Sequence, residues 1–99
     1  MRPIGIFDSG IGGLTVARAI ANRLPNVPLI YFGDTAHLPY GDKSPELIRH
    51  YASRISLHLK EMGCQAIVVA CNSASSNALD AIHETAGEDV AVIDVVQPV

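Results

Sequence analysis

The chain has 99 residues, 48% of them hydrophobic, and a formal net charge of −3 at pH 7. This length allows at most one small domain, and the apolar share is enough for a core. The seven Lys and Arg residues are scattered, which argues against a nucleic acid partner. No apolar stretch reaches the ~18 residues of a membrane span. No signal peptide precedes the first expected strand, so a cytoplasmic location is expected.

The first third of the chain predicts a strand, a helix and a second strand. The strands are expected over residues 3–8 and 28–33, and the helix over residues 12–24. Apolar residues recur at helical spacing and define the face that this helix should bury: Leu14, Ala17, Ile20, Ala21 and Leu24.

A loop over residues 34–43 leads into a second helix. Ser44 followed by Pro45 is typical of an N-cap with proline at the first helical position. Gly63 is expected to end this helix. Its apolar face consists of Ile48, Tyr51, Ala52, Ile55, Leu59 and Met62.

The last third predicts a strand over residues 65–70, a helix over 73–86 and a strand over 91–96. The strands are apolar throughout rather than alternating, which is typical of a parallel sheet covered on both faces. We therefore expect an α/β fold, with a four-stranded parallel βαβαβαβ sheet, right-handed crossovers and helices on both faces. No helix follows the last strand, so we expect the chain to be part of a larger protein.

Polar residues collect at the carboxyl ends of these strands, where parallel sheets bind ligands. The residues at that edge are Asp8, Ser9 and Gly10, residues 34–41, Cys71, Asn72 and Ser73, and Gln97 and Pro98.

The apolar strand that stops at Cys71 is the most informative segment. It should deliver the thiol to a strand-to-helix turn, where a helix N-terminus lowers a cysteine pKa below its free value of ~8.5. A buried, inert cysteine is the alternative, and the polar neighbours favour a reactive thiol. Cys64 begins the same strand roughly 23 Å away, too far for a disulfide. We expect two free thiols, with Cys64 packed as a small hydrophobe.

The other edge residues each have two interpretations. The glycine-rich turn after Asp8 could bind an anion, or Asp8 could instead orient an ammonium group or assist a proton transfer. The plain alternative is a capped, tight turn. Tyr40 either closes over a small ligand or packs against the scaffold. Asn72 and Ser73 either hold a substrate carboxylate or cap the third helix.

The histidines lack the spacing of metal ligands, so we expect no metal. Lys43 and Lys60, the two residues that could form a Schiff base, lie in polar contexts beside helices, so we expect no covalent cofactor.

Three segments taken together resemble the glutamate racemases of the aspartate/glutamate racemase superfamily. They are FDSGIGGLTV at 7–16, GDTAHLPYG at 33–41 and VACNSAS at 69–75. Their order and spacing match the family's amino-terminal lobe, so residues 1–99 are expected to form that lobe, without the carboxyl-terminal one. Most members have Thr where this chain has Ser73, which keeps the hydroxyl.

The resemblance implies an isomerase that interconverts L- and D-glutamate without a cofactor, for peptidoglycan, cell wall biogenesis and cell shape. Cys71 would be one of two cysteines on opposite sides of the substrate α-carbon, assisted by Asp8. Asp8, Ser9, Tyr40, Gly41, Asn72 and Ser73 would bind glutamate.

The second cysteine of the family lies in the absent lobe, so we expect the chain alone to be inactive and the full-length parent to be a possible homodimer. Two alternatives stay open. One is a non-catalytic glutamate-binding module, and the other is a racemase for aspartate or another amino acid.

Overall fold

A computed structural model describes residues 1–95 and contains one four-stranded parallel sheet. The strand order is β2-β1-β3-β4, and every neighbouring pair is parallel. The strands are β1 Ile4–Asp8, β2 Leu29–Gly33, β3 Ala66–Val69 and β4 Ala91–Asp94. The predicted sheet is confirmed. Val96, Gln97 and Pro98, expected at the end of the last strand, lie outside the described residues.

Four α-helices connect and cover these strands: α1 Leu14–Arg23, α2 Pro45–Glu61, α3 Asn72–Asn77 and α4 Leu79–Ala86. Two short 3₁₀ turns, Thr35–His37 and Tyr40–Asp42, lie in the loop after β2.

The single helix expected over residues 73–86 is wrong, because the chain breaks at Ala78 with φ −136°. The segment before the break is rich in Ser and Asn, whose side chains compete with helical backbone bonds. Asn77 shows this competition, since its Nδ2 donates to the Ser73 carbonyl at 2.8 Å.

Helix α2 begins as its sequence predicts. The Ser44 side chain accepts the Leu47 N–H at 3.1 Å, and Pro45 is the first helical residue. The helix ends just before Gly63, which has a φ of +90° that favours glycine. One expected core residue is wrong: Met62 is 48% exposed, because it lies beyond the last helical turn.

The packed core lies on one face of the sheet. Phe7 from β1 and Ile67 and Val69 from β3 point to this face. Helices α2 and α4 cover them with apolar side chains that include Leu59 and Ile82, both fully buried. This core is contiguous from the Gly63 end of α2 to the loop that follows β2, and it supports one side of the candidate site.

The opposite face is covered less completely. Helix α1 packs there, but none of its residues is fully buried. It leaves an apolar groove of about 610 Å³, lined by Ile4, Val68 and Ile93 from the sheet and by Val16 and Ile20 from α1. Helices therefore lie on both faces as predicted, with very unequal burial.

Candidate active site

A cleft of about 540 Å³ opens at the carboxyl edge of the sheet. It brings together all the residues that the sequence singled out as site residues: Asp8, Ser9, Tyr40, Gly41, Cys71, Asn72 and Ser73. They come from the end of β1 and the turn after it, the loop after β2, and the junction of β3 with α3.

The strand order explains why Asp8 and Cys71 line the same cleft. Strands β1 and β3 are neighbours, with Phe7 paired to Val69. The Ala70 N–H extends the ladder by donating to the Phe7 carbonyl at 2.9 Å. Neighbouring strands lie about 4.8 Å apart. Asp8 therefore lies across from Ala70, and Cys71 follows one residue later at the same edge of the sheet.

The Asp8 carboxylate is held firmly by two donors. It is 4% exposed, and its Oδ2 accepts the Gly13 N–H at 2.6 Å and the Tyr31 hydroxyl at 2.5 Å. Burial, followed by the hydrogen bond and the charge of Asp8, raises the pKa of Tyr31, so this hydroxyl stays a donor. Both bonds use one oxygen, which leaves Oδ1 for a ligand.

Position 13 requires a glycine because the space around it has no room for a side chain. A Cβ there would lie 2.8 Å from Asp8 Oδ2 and 2.9 Å from the Ala70 Cβ. A side chain would therefore push the carboxylate out of place. The first helix begins at Leu14 rather than Gly12, because the glycines form this turn.

Tyr40 is a fixed wall of the cleft. It is 2% exposed, and its hydroxyl donates to Asp34 Oδ2 at 2.6 Å. Its ring meets Phe7 edge-on with centroids 6.3 Å apart. Burial, and then the Asp34 hydrogen bond and charge, raise the pKa of Tyr40. Of the two interpretations of Tyr40, packing against the scaffold is observed, in a side chain that also lines the cleft.

Cys71 lies at the junction of β3 and α3, 3% exposed, and lines the cleft. Its sulfur accepts the Ala74 N–H at 3.4 Å and so caps α3. The idea that Asn72 or Ser73 caps this helix is wrong, because Cys71 does so. Within residues 1–95 neither of those two side chains makes a hydrogen bond, so both are available to a ligand.

Sequence reasoning gave Tyr31 and Asp34 no role, although they hold Asp8 and Tyr40 in place. Asp34 lies within the predicted edge, and the available sequence signal was an acidic residue directly after the second strand. Tyr31 lies inside a strand, and only the register that places it across from Ile6 brings it near Asp8.

Cys64 does not belong to the site. It is free and fully buried at the other end of β3, and burial raises the pKa of its thiol. Both cysteines are unpaired, as predicted.

Among the described residues, no group of three or more His, Cys, Asp or Glu side chains could hold a metal ion. In the same part of the chain, no helix is long and apolar enough to cross a membrane.

Comparisons with known proteins agree with the resemblance seen in the sequence. No family model matches the chain. A glutamate racemase from Chlorobium phaeobacteroides is 53% identical over 95 residues, which cover 96% of this chain and 35% of the relative. One from Acidothermus cellulolyticus is 51% identical over 96 residues, which cover 97% of this chain and 36% of the relative.

A solved structure of a glutamate racemase also matches this chain. The crystal structure of glutamate racemase from Francisella tularensis in complex with D-glutamate superposes with a TM-score of 0.90 at 47% identity. The match covers 95% of this chain and 35% of that chain. The present chain therefore spans about a third of the length of the relatives it matches.

Proposed function

We propose that this chain, a homologue of the glutamate racemases, is the amino-terminal lobe of an enzyme that interconverts L- and D-glutamate. The observation that carries this proposal is the cleft in which Cys71 and the held carboxylate of Asp8 lie together. A binding module has no need of a thiol at the bottom of its site. Residues 1–99 would supply one of the two faces between which the substrate α-carbon lies.

The chemistry required is the removal of a weakly acidic α-proton. The Cys71 thiolate would take this proton, and the electron pair of the broken C–H bond would pass into the substrate carboxylate. Hydrogen-bond donors around that carboxylate stabilise the developing charge, and Asn72 and Ser73 are placed to donate. The sulfur accepts the Ala74 N–H at 3.4 Å, which holds it in one orientation in the cleft.

Inversion needs an acid on the opposite face of the α-carbon. Within residues 1–95 the other thiol, Cys64, is buried at the far end of β3. The second thiol would come from the rest of a full-length racemase and would donate the proton that completes the enantiomer. The chain by itself would therefore not racemise glutamate.

The fixed Asp8 carboxylate has two possible tasks in this site. Its Oδ1 accepts no bond from residues 1–95, so it can accept an N–H of the substrate ammonium group or support the proton transfer at Cys71. The bonds from Gly13 and Tyr31 keep it in one orientation in either case. Ser9, Tyr40 and Gly41 complete the wall that would bind glutamate.

The wider setting belongs to the same proposal. The enzyme would work in the cytoplasm without a cofactor and supply D-glutamate for peptidoglycan, and hence for cell wall biogenesis and cell shape. The full-length parent would be a homodimer.

The test mixes the 99-residue chain with a separately produced carboxyl-terminal lobe and follows the optical rotation of L-glutamate. Racemisation is expected in the mixture and not with either part alone. Cys71→Ser should abolish it. Cys64→Ser is the matched control, since it removes the thiol at the other end of the same strand, and activity should persist.

Other outcomes would redirect the proposal. Turnover that survives Cys71→Ser would overturn the role of this thiol. Faster turnover of aspartate than of glutamate would favour a racemase for another amino acid. Glutamate binding to the mixture without any turnover would favour the non-catalytic binding module.

A further inference from the structure

A second cavity of about 470 Å³ lies on the other side of the loop after β2. Its lining includes two aromatic rings, Phe32 from the edge strand β2 and Tyr51 from α2. The rim carries His50, Arg54 and His58 from one side of α2, and His37 from the loop. None of these residues belongs to the proposed catalytic site, and nothing in the proposed racemase chemistry uses them.

The rim groups follow from the periodicity of α2. Residues four positions apart lie on the same side of a helix. His50, Arg54 and His58 therefore form one row, which extends about 12 Å at 1.5 Å per residue. Imidazole rings and a guanidinium all present N–H donors, and the guanidinium carries a permanent positive charge.

This row is not neutralised by the protein. Within residues 1–95, Arg54 makes no ion pair, since the salt bridges found there are His37 with Asp34 and Arg49 with Asp80. Asp34 is the acid that lines this cavity, and it is already occupied. Its oxygens accept His37 Nδ1 at 2.8 Å and the Tyr40 hydroxyl at 2.6 Å.

The aromatic part of the cavity is already organised for a flat group. The His37 ring stacks on Tyr51 with centroids 4.0 Å apart and planes 21° apart. Phe32 meets His58 edge-on at 5.8 Å. Aromatic faces and edges of this kind pack well against a further ring. A volume of about 470 Å³ is also in the range of sites for small organic ligands.

From these observations we propose that this cavity binds a small organic anion, an aromatic or other flat body that carries a phosphate or carboxylate. The anionic group would lie at Arg54 and accept bonds from His50 or His58. The ring would pack against the cluster that these side chains already form, Phe32 with His58 and His37 with Tyr51. The inference is independent of the racemase proposal, because it uses a separate cavity and other residues.

The experiment measures binding of phenyl phosphate to the 99-residue chain by calorimetry and by shifts of the histidine ring resonances. Phenol and inorganic phosphate are the reference ligands, since each offers only one half of the proposed recognition. Phenyl phosphate should bind at least tenfold more tightly than either, with shifts at His50 and His58 rather than at His83, which is exposed on α4.

Two arginine variants test whether phenyl phosphate binds to the charge of Arg54 or to the overall charge of the chain. Arg54→Gln should weaken phenyl phosphate at least tenfold and leave phenol unchanged. Arg18→Gln is the matched control, because it removes an exposed arginine from α1 on the other face of the sheet, and affinity should stay the same. Equal loss with both variants would mean non-specific charge attraction and would overturn the proposal.

Two further results would also overturn it. One is binding of phenyl phosphate with shifts confined to the Cys71 cleft, and the other is no detectable binding to a chain whose circular dichroism shows it to be folded. A failure of the racemase proposal would be seen separately, because that proposal is tested by glutamate turnover and by the Cys71 variant. Neither is measured in this binding experiment.

Discussion

The two faces of the sheet differ more in the burial of their side chains than their sequences suggest. Both are apolar, but the face under α2 and α4 is closed by fully buried side chains such as Leu59 and Ile82. On the α1 face, Ile93 is 47% exposed and Leu24 is 44% exposed. An apolar pattern thus predicts which residues can be buried, while burial itself depends on having a second element to pack against.

The candidate site uses both faces. Asp8 and Tyr31 lie in β1 and β2 and point to the α1 face, whereas Tyr40 and Cys71 belong to the core of the other face. The well-packed side supplies a rigid thiol and a rigid aromatic wall. The carboxylate on the other side is held mainly by hydrogen bonds, so the two halves of the cleft should respond differently to substitution.

The largest difference is expected from core truncation. Leu59→Ala removes a side chain that is fully buried on the packed face and should lower the free energy of unfolding by about 2–5 kcal/mol. Leu24→Ala on the α1 face is the control and should cost less than about 1 kcal/mol. Urea denaturation of the 99-residue chain measures both. Equal costs would mean that the two faces are equally packed.

The next effect tests how Asp8 is held. Gly13→Ala places a Cβ 2.8 Å from Asp8 Oδ2 and should destabilise the chain by about 1–3 kcal/mol. Gly12→Ala is the matched control, since a Cβ there meets nothing within 4 Å. Crystal structures of both variants would locate the carboxylate. An Asp8 that keeps its position in the Gly13 variant would contradict this account.

Alkaline pH should act through Tyr40, whose pKa is raised in the folded chain. Above the ordinary tyrosine value of about 10, the unfolded chain loses this proton and the folded chain keeps it. Stability is therefore fully present below that pH and falls as the pH rises, by at most about 1.4 kcal/mol per pH unit for one group.

Urea denaturation at about pH 8 and about pH 11 measures this dependence. Tyr40→Phe should reduce the slope, while Tyr51→Phe serves as the control on the neighbouring ring. An unchanged slope in the Tyr40 variant would show that another group is responsible.

The smallest predicted effect is an increase in the free energy of unfolding. Ser56 is fully buried in α2, and its Oγ is the one buried side-chain N or O atom without a hydrogen-bond partner among residues 1–95. Ser56→Ala removes this hydroxyl and adds helix propensity, so it should raise the free energy of unfolding by about 1 kcal/mol. Ser53→Ala, one turn before on the same helix, is the control for propensity alone. An equal gain in both variants would assign the effect to propensity.

Prediction from the sequence was most accurate where a residue type favours one particular backbone position. Ser44 and Pro45 started α2 because a hydroxyl acceptor and a ring without an N–H both suit that position. It failed over residues 73–86, where alanines favour a helix and the Ser and Asn side chains oppose it. It also misplaced Met62, because helical periodicity does not show where the last turn ends.

What the sequence by itself determined is the alternation of strands and helices, the parallel sheet and the edge at which its polar residues gather. Local patterns contain this information, since periodicity and turn residues act over only a few positions. Only the tertiary structure decided that Tyr31 and Asp34 hold Asp8 and Tyr40, and that one face is closed and the other is not. It also decided that the histidines of α2 line a cavity. Those features arise from contacts between distant parts of the chain, whose geometry depends on strand order and packing.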